Sequence, residues 1–298
     1  MKKTTSASSL TRRSFLRRGA AALAGASLAP ARGFSLRGQT LPSRKLSLAV
    51  LGTGSRGGQI AEMFRKQNIV ALCDADSRQE ADAHQHYGPA PFYQDYRRLF
   101  DKHEKELDGV VIASADNTHA MLCTAAIERG KHVYCEKPLT HTIGEARALR
   151  KLAETKKVIT QMGNQGHSSD RIRDVCEWIW DGAIGPVHTV HACCGSNYSR
   201  MDQLPSLAER PPVPPELDWN LWVGPSPLLP YAPMYLRGKW RGWTAFGGGV
   251  IGDWVCHVVD PAFWALDLGA PAALRAEVRG GYDPRQHGAT FPPGTRIT

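Results

Sequence analysis

A glycine-rich hexapeptide places the tightest constraint on how this chain can fold. Gly52-Thr53-Gly54-Ser55-Arg56-Gly57 directly follows the apolar segment KLSLAVLG and precedes RGGQIAEMFRKQ, in which apolar residues recur at helical spacing. A G-x-G-x-x-G between a buried strand and a helix permits a tight turn and brings a pyrophosphate close to the helix N-terminus. We therefore predict that these six residues bind a dinucleotide. The alternative interpretation is a glycine-rich turn without a ligand.

The next predicted strand, IVALCD, ends on Asp74, which follows Gly52 by 22 residues. This is the place at which a carboxylate binds the adenosine ribose hydroxyls of NAD. Asp74 therefore favours NAD over NADP. Arg78 lies close by and could bind a 2′-phosphate, which leaves NADP as an alternative.

Strands and helices alternate between residues 45 and 165, and this pattern predicts an α/β fold with a doubly wound parallel sheet, a Rossmann domain. The pattern changes after about Gly166. There we expect a helix in SSDRIRDVCEWIWDG, a strand in PVHTVHACC (186–194), a long helix interrupted at Pro261 and a strand in ALRAEVRGG. Residues 195–246 are rich in Pro, Trp and Tyr and show little periodicity. Residues 166–298 are therefore predicted to form a second, α+β domain.

Residues 1–31 have the pattern of a twin-arginine signal peptide. Arg12 and Arg13 precede a weakly apolar run at 19–28, and Ala29-Pro30-Ala31 offers a small-x-small cleavage site. The run is much shorter than the roughly 20 residues that a membrane span requires. Residues 32–44 are expected to be a linker. We expect export of the folded protein to the periplasm or another extracytoplasmic space; an ordinary basic first helix is the alternative.

Charge and cysteine content limit the classes of partner and of metal site that the chain can have. The formal net charge is +9, but six of the basic residues precede Ala31, and the rest of the chain carries only +3. Without a clustered basic stripe, this excludes a nucleic-acid partner. The seven cysteines lack metal-type spacing and are expected to be mostly free and buried. Strand alternation would divide His188, His191, Cys193 and Cys194 between two faces, so no metal site is predicted.

Two further segments carry candidate catalytic residues. In CEKPLTH, Pro138 disfavours helical backbone at Lys137 and directs its ammonium toward the cleft, although a lysine at a strand end is often only solvated. In GGGVIGDWVCHVVD, Asp253 and His257 are four residues apart and would share a helix face. Such a pair suits general acid-base catalysis. Alternatively, it is a surface ion pair.

Together, the glycine-rich loop, Asp74, E-K-P at 136–138 and G-G-G-x-x-x-D-x-x-x-H at 247–257 resemble the Gfo/Idh/MocA family of oxidoreductases over residues 45–298. QMGNQGHSS and WRGWTAFGGGVIGDWVCH resemble an exported bacterial branch. The resemblance implies a Rossmann domain and an α+β substrate domain with an open, mainly antiparallel sheet that often forms an oligomer interface. Family members usually continue through more strands, so we expect an incomplete, truncated sheet here, and a homo-oligomer if the sheet is complete.

The resemblance also implies roles for individual residues. Lys137, Asp253 and His257 would surround the reacting carbon: His257 takes the hydroxyl proton, Asp253 holds the imidazole, and Lys137 stabilises charge on the oxygen. Ser114, Asn117, His119 and Glu136, with Lys137, would join the cofactor site, although Asn117 could merely cap a helix. Substrate contacts would come from Asn164, Gln165, Trp240 and Arg241, with Trp243 as a further stacking surface; a core role for the tryptophans is equally open.

The expected activity is hydride transfer between a tightly bound NAD, or alternatively NADP, and a hydroxyl or keto carbon of a sugar or polyol-like substrate. A dinucleotide site is complete only after folding, and the cofactor pool is cytoplasmic, which would explain folded export. Two alternatives stay open: a redox-neutral NAD-dependent glycosidase or epimerase that uses the same residues, and a non-catalytic NAD-binding protein.

Overall fold

The first half of the chain forms one parallel sheet with helices on both faces. The computed structural model describes residues 44–298; the predicted signal peptide and residues 32–43 of the predicted linker lie outside the described residues. The six strands are β1 (Ser47–Leu51), β2 (Asn68–Cys73), β3 (Phe92–Tyr93), β4 (Gly109–Ile112), β5 (His132–Glu136) and β6 (Thr160–Gly163). Their order is β3-β2-β1-β4-β5-β6, with every pairing parallel. This confirms the predicted doubly wound sheet.

The central strands are apolar along their whole length because both faces of the sheet are covered. In β1, Ala49 and Leu51 belong to one buried cluster, whereas Leu48 and Val50 belong to a second. Successive side chains therefore point to opposite faces. The covering helices are α1 (Arg56–Phe64), α2 (Glu80–Tyr87), α3 (Tyr96–His103), α4 (Asp116–Glu128) and α5 (Ile143–Lys156).

The second half contains short elements joined by long irregular segments. Its helices are α6 (Asp170–Trp180), α7 (Trp219–Val223), α8 (Gly249–Val258), α9 (Asp260–Ala265) and α10 (Pro284–His287). Strands β7 (Ala276–Arg279) and β8 (Gly294–Ile297) form an antiparallel pair. The helix interruption that we predicted at Pro261 lies two residues earlier, at Val259. Pro261 itself occupies the first turn of α9, where a backbone N–H would have no partner within the helix, so its absence costs nothing.

An aromatic cluster holds the irregular segment together in place of regular secondary structure. Trp219 stacks on Trp222 with ring centroids 5.0 Å apart and meets Tyr231 edge-on. Phe246 lies 4.9 Å from Trp222, and Trp243 is 1% exposed. Trp and Tyr residues of this stretch therefore supply half of the buried residues of a second hydrophobic core.

The prediction of a strand at residues 186–194 is wrong. Residues 186–200 have no regular secondary structure. A strand needs a neighbour for its backbone N–H and C=O groups, and β7 and β8, the strands described after residue 163, pair with each other. The alternation of His188, His191, Cys193 and Cys194 therefore does not arise, and among residues 44–298 no group of three or more His, Cys, Asp or Glu side chains could hold a metal ion.

All seven cysteines are free, and Cys73, Cys123, Cys135 and Cys176 are buried. Cys193 is exposed, whereas Cys194 and Cys256 are half-buried. In the part of the chain that the structure describes, no helix combines the length and the apolar character required to cross a membrane.

Candidate active site

A large cavity lies at the carboxyl ends of the parallel strands. Its volume is about 1070 Å³, and its walls come from both halves of the described chain. Since strand order reverses between β1 and β4, this is where a doubly wound sheet binds its ligand. The cavity brings together fifteen of the residues singled out from the sequence: Gly52, Gly54, Ser55, Arg56, Asp74, Arg78, Ser114, His119, Glu136, Lys137, Gln165, Trp240, Arg241, Asp253 and His257.

The glycine-rich loop packs against the end of β4 too closely for other residues. Gly52 has φ +86°, and a Cβ there would lie 2.5 Å from the Ser114 nitrogen. A Cβ on Gly57 would lie 2.2 Å from the Gly52 carbonyl oxygen. These two glycines therefore set the shape of the loop, and Gly57 does so without lining the cavity itself.

Asp74 fixes this loop through both of its carboxylate oxygens. Oδ2 accepts hydrogen bonds from the backbone N–H of Thr53 at 3.0 Å and of Gly54 at 3.3 Å, and Oδ1 accepts from the N–H of Asp76 at 3.1 Å. Burial raises the pKa of Asp74, although these N–H groups favour the carboxylate. Asp74 thus holds the glycine-rich turn in shape, and its contact with a ribose stays a prediction.

Arg56 links the glycine-rich loop to the ends of β5 and β6. Its Nη2 donates to Glu136 Oε1 and to Gln165 Oε1, both at 3.0 Å. Glu136 is 3% exposed and also accepts from the Tyr134 hydroxyl at 3.1 Å. Its other oxygen, Oε2, is buried without a hydrogen-bond partner among the described residues.

The candidate catalytic groups form a charged cluster around Asp253. Lys137 Nζ donates to the Asp253 carbonyl oxygen at 2.8 Å and to its carboxylate Oδ1, which also accepts from Arg241 Nε at 3.3 Å. Asp253 Oδ2 accepts from the Tyr198 hydroxyl at 2.6 Å. We expected Asp253 to hold the imidazole of His257, and this expectation is wrong. The carboxylate instead pairs with Lys137 and Arg241, because a buried charge is costly unless an opposite charge lies beside it.

Burial and charge set the protonation of this cluster. Burial raises the pKa of Asp253, but hydrogen bonds from Lys137 and Tyr198 and the charge of Arg241 outweigh it and hold the pKa below its ordinary value. Burial and the Lys137 charge lower the pKa of His257. The site therefore combines an ionised carboxylate with a neutral imidazole at neutral pH.

Tyr198 is a site residue that the sequence analysis missed. It lines the cavity, and its hydroxyl accepts from Trp254 Nε1 at 3.1 Å while it donates to Asp253. It lies in a stretch without regular secondary structure, so no periodicity or motif pointed to it. Only its tertiary contact identifies it.

The segment Glu216–Asp218, here called the strap, was also missed. Its Glu216 carbonyl accepts from the Ser77 N–H at 2.9 Å, and its Asp218 N–H donates to the Ala75 carbonyl at 2.9 Å. Gln94 Nε2 donates to Ala75 and Glu216 carbonyls at 3.1 and 2.8 Å. The strap therefore ties the irregular segment to the loop that follows β2.

Several expected ligand contacts are instead structural. Asn117 is 1% exposed, and its Nδ2 donates to the Val223 carbonyl at 2.8 Å and to Ser226 Oγ at 3.0 Å. Asn164 Nδ2 donates to the Cys256 carbonyl in α8 at 2.9 Å. Neither asparagine lines the large cavity, because both amides satisfy backbone groups of the second half. Trp243 is part of the aromatic core.

Two buried polar residues of α4 also reach the cavity. His119 Nδ1 lies 2.8 Å from the Pro138 carbonyl oxygen, and burial lowers its pKa. Asp116, 3% exposed, accepts from the Gly248 N–H at 3.1 Å through Oδ2. Burial raises the pKa of Asp116 to about 7, although Arg241 and the Gly248 N–H favour its carboxylate. Asp116 was not among the predicted site residues.

The fold and the site define a Rossmann protein whose second half supplies one wall of the ligand cleft. Residues 46–164 match the NAD-binding Rossmann-fold domain of the Gfo/Idh/MocA oxidoreductases, and residues 172–293 match their C-terminal α/β domain. The chain belongs to the Gfo/Idh/MocA oxidoreductase family.

Curated relatives include sugar and polyol dehydrogenases. The chain is 29% identical over 184 residues to the uncharacterized oxidoreductase YfiI of Bacillus subtilis, covering 54% of this chain and 46% of that one. Identity is 27% over 179 residues to the myo-inositol 2-dehydrogenase of Thermotoga maritima, with 58% and 48% covered. It is 28% over 192 residues to the levoglucosan dehydrogenase of Pseudarthrobacter phenanthrenivorans, with 64% and 40% covered. The chain thus spans less than half the length of these relatives.

Solved structures show the same fold over most of the chain. GenD2 from gentamicin A biosynthesis, in complex with NAD, superposes with a TM-score of 0.59 at 22% identity, covering 85% of this chain and 62% of that one. An NAD-binding protein from Listeria innocua gives a TM-score of 0.57 at 19% identity, with 85% and 63% covered.

Proposed function

We propose that this protein is an NAD(P)-dependent oxidoreductase that interconverts a hydroxyl and a keto carbon of a sugar or polyol-like substrate. The observation that carries the proposal is the meeting of Lys137, Asp253 and His257 with the glycine-rich loop in one cavity. The named activities of the inositol and levoglucosan dehydrogenases support the substrate class.

The residues of the cleft fit a dinucleotide. The space beside Gly52 and Gly57 is limited by backbone, as a pyrophosphate-binding turn requires. Glu136 lines the cavity, and its Oε2 is buried without a partner among the described residues, so this polar atom remains for a ligand. The cavity, at about 1070 Å³, is slightly larger than the range of roughly 300–1,000 Å³ for small-molecule pockets. When bound, the nicotinamide would supply or accept hydride.

Lys137 is placed to hydrogen-bond the reacting oxygen. An ammonium has three donors, and Lys137 directs its hydrogen bonds to two acceptors, the carbonyl and carboxylate oxygens of Asp253. One donor therefore remains for a substrate hydroxyl or carbonyl in the cavity. Because the pKa of Asp253 is held low, its carboxylate is ionised and pairs with Lys137.

His257 is placed to exchange the hydroxyl proton. It lines the cavity, and within residues 44–298 its ring nitrogens make no hydrogen bond. Since burial and Lys137 lower its pKa, the ring is neutral at neutral pH and can act as a general base. Asp253 acts by positioning: it fixes the ammonium of Lys137 and, through Oδ2, the ring of Tyr198.

We propose that the cofactor is tightly bound. The strap closes on the loop after β2 through backbone hydrogen bonds, and Leu221 and Trp222, which follow it, line the same cavity. In this proposal the strap keeps the loop after β2 in place beside the cavity. This supports retention of the cofactor through many turnovers.

The proposal is tested by native mass spectrometry of the purified full-length protein, followed by turnover of a panel of polyols and sugars with NAD and NADP. Bound dinucleotide and net formation of reduced cofactor are expected. Product formation without net reduced cofactor would instead indicate a redox-neutral glycosidase or epimerase. Cofactor binding without any turnover across the panel would favour a non-catalytic protein.

We also propose that the folded protein is exported by the twin-arginine machinery to the periplasm or another extracytoplasmic space. Arg12 and Arg13 before the apolar run at 19–28 support this. Replacing both arginines with lysine is expected to retain the protein, with cofactor bound, in the cytoplasm. Undiminished export of this variant would contradict the proposal.

We further propose that the protein forms a homo-oligomer if its second sheet is complete. Val278 of β7 is 53% exposed and Ile297 of β8 is 42% exposed, which leaves apolar side chains of the second sheet available to another copy. Light scattering is expected to give more than one chain per particle. A monomer at every concentration would contradict this.

A further inference from the structure

An arginine at the adenosine end of the cleft is held by a neighbouring carboxylate. Asp76 accepts hydrogen bonds from Arg78 Nε at 2.7 Å and from Nη2 at 2.6 Å, and a third from the Arg78 backbone N–H at 3.1 Å. Both residues line the cavity together with Asp74 and Gly54. The fork of Arg78 is thus occupied by a bidentate partner, the strongest geometry for this kind of ion pair.

Asp76 is itself fixed from two sides. Its backbone N–H donates to Asp74 Oδ1 at 3.1 Å, and the residue forms an antiparallel β-bridge with Leu217 of the strap. It is only 8% exposed. The backbone of Asp76 is therefore fixed, and turning the Nε–Nη2 edge of Arg78 toward another anion would leave a buried carboxylate unpaired, which is costly.

The other arginine of the cofactor loop is also paired. Arg56 donates to the buried carboxylate of Glu136 at 3.0 Å. The charge of each arginine next to the glycine-rich loop is thus already balanced by a buried carboxylate. A 2′-phosphate near Asp74 would instead meet two carboxylates, those of Asp74 and Asp76.

We propose that Asp76 is a specificity-determining residue that favours NAD over NADP by holding Arg78 away from a 2′-phosphate. The inference rests on the proposed use of a nicotinamide dinucleotide. It attributes the preference for NAD over NADP to an ion pair within the protein, in addition to any contact between Asp74 and the ribose. NAD lacks the phosphate and needs no such cation, so the pair leaves its binding unaffected.

The test is fluorescence titration of the full chain with NADH and NADPH. Asp76→Asn keeps the size of the side chain and an acceptor for the Arg78 N–H but removes the charge. We expect the ratio of the NADPH to the NADH dissociation constant to fall about tenfold or more, the size of one charge-assisted hydrogen bond. The double variant Asp76→Asn/Arg78→Ala should lose this gain.

A second ion pair of the same form provides the control. Asp95 accepts from Arg97 Nε at 2.9 Å and Nη2 at 2.8 Å, again two residues apart, but neither residue lines the cavity. Asp95→Asn should leave the ratio of the two dissociation constants unchanged. The single variant Arg78→Ala leaves the carboxylate of Asp76 without its cation and should therefore weaken NADPH binding more than NADH binding.

The outcomes separate this inference from the proposed function. An unchanged ratio in folded Asp76→Asn, or a gain that survives in the double variant, overturns the role of Asp76. If Asp76→Asn does not fold, Asp76→Ser, which also removes the charge, gives the same test with the same overturning outcome. If the unaltered protein binds neither NADH nor NADPH, the proposed function fails and this inference fails with it.

Discussion

Asp116→Asn should change how the stability of the protein depends on pH. Asp116 lies at the first position of α4 and accepts from the Gly248 N–H, which adjoins the start of α8 with Asp253 and His257. Asparagine can accept the same hydrogen bond but does not titrate. The substitution therefore isolates the cost of burying a carboxylate at this site.

The magnitude follows from the raised pKa of Asp116, about 7 in the folded protein, against about 3.9 in an unfolded chain. Because the folded state binds the proton more tightly, this group contributes stability below the unfolded pKa, and the contribution is lost as pH rises toward 7. Between pH 5 and pH 7 the loss is about 2 kcal/mol. The stability of Asp116→Asn relative to the unaltered protein should rise by this amount.

The assay is urea unfolding of both proteins at pH 5, 6 and 7, with the difference in unfolding free energy taken at each pH so that other titrating groups cancel. Asp95→Asn is the control. Hydrogen bonds from Arg97 lower the pKa of Asp95, so this residue is ionised in both states over the range and its difference should stay constant. A constant difference for Asp116→Asn would refute the reasoning.

Three further predictions concern the cleft. Lys137→Ala and His257→Ala should each lower kcat about a hundredfold while NAD still binds. Because both residues act on one hydroxyl, their effects should not add, which steady-state kinetics of the double variant would show. Since the pKa of His257 is lowered by burial and the Lys137 charge, the acid limb of kcat/KM for alcohol oxidation should have its midpoint below the ordinary histidine value, and that limb should disappear in His257→Ala. Gln94→Ala removes one hydrogen bond to the Ala75 carbonyl of the loop after β2 and one to the Glu216 carbonyl of the strap, and so it should speed cofactor release about tenfold in stopped-flow displacement. An unchanged rate would show that the strap does not retain the cofactor.

The sequence contained enough information for the Rossmann half. Its central strands, such as β1 and β4, are mostly apolar and buried, and helices separate the strands, so local pattern and sheet topology coincide. The glycine-rich loop was recognisable because its first and last glycines lie where backbone leaves no room for a side chain. Gly52, for example, adopts a positive φ against the Ser114 backbone. For the second half, composition indicated an irregular segment but not the aromatic core that organises it.

What the tertiary structure decided was which charged groups pair. Lys137 and Asp253 were both candidates from local motifs, but they are 116 residues apart, and their contact depends on how α8 docks at the end of β5. The spacing of Asp253 and His257 suggested a pair on one helix face. In the folded protein the Asp253 carboxylate instead pairs with Lys137 and Arg241 and not with His257. Tyr198 and the strap lie in stretches without periodicity, so only the packing of distant segments could reveal them.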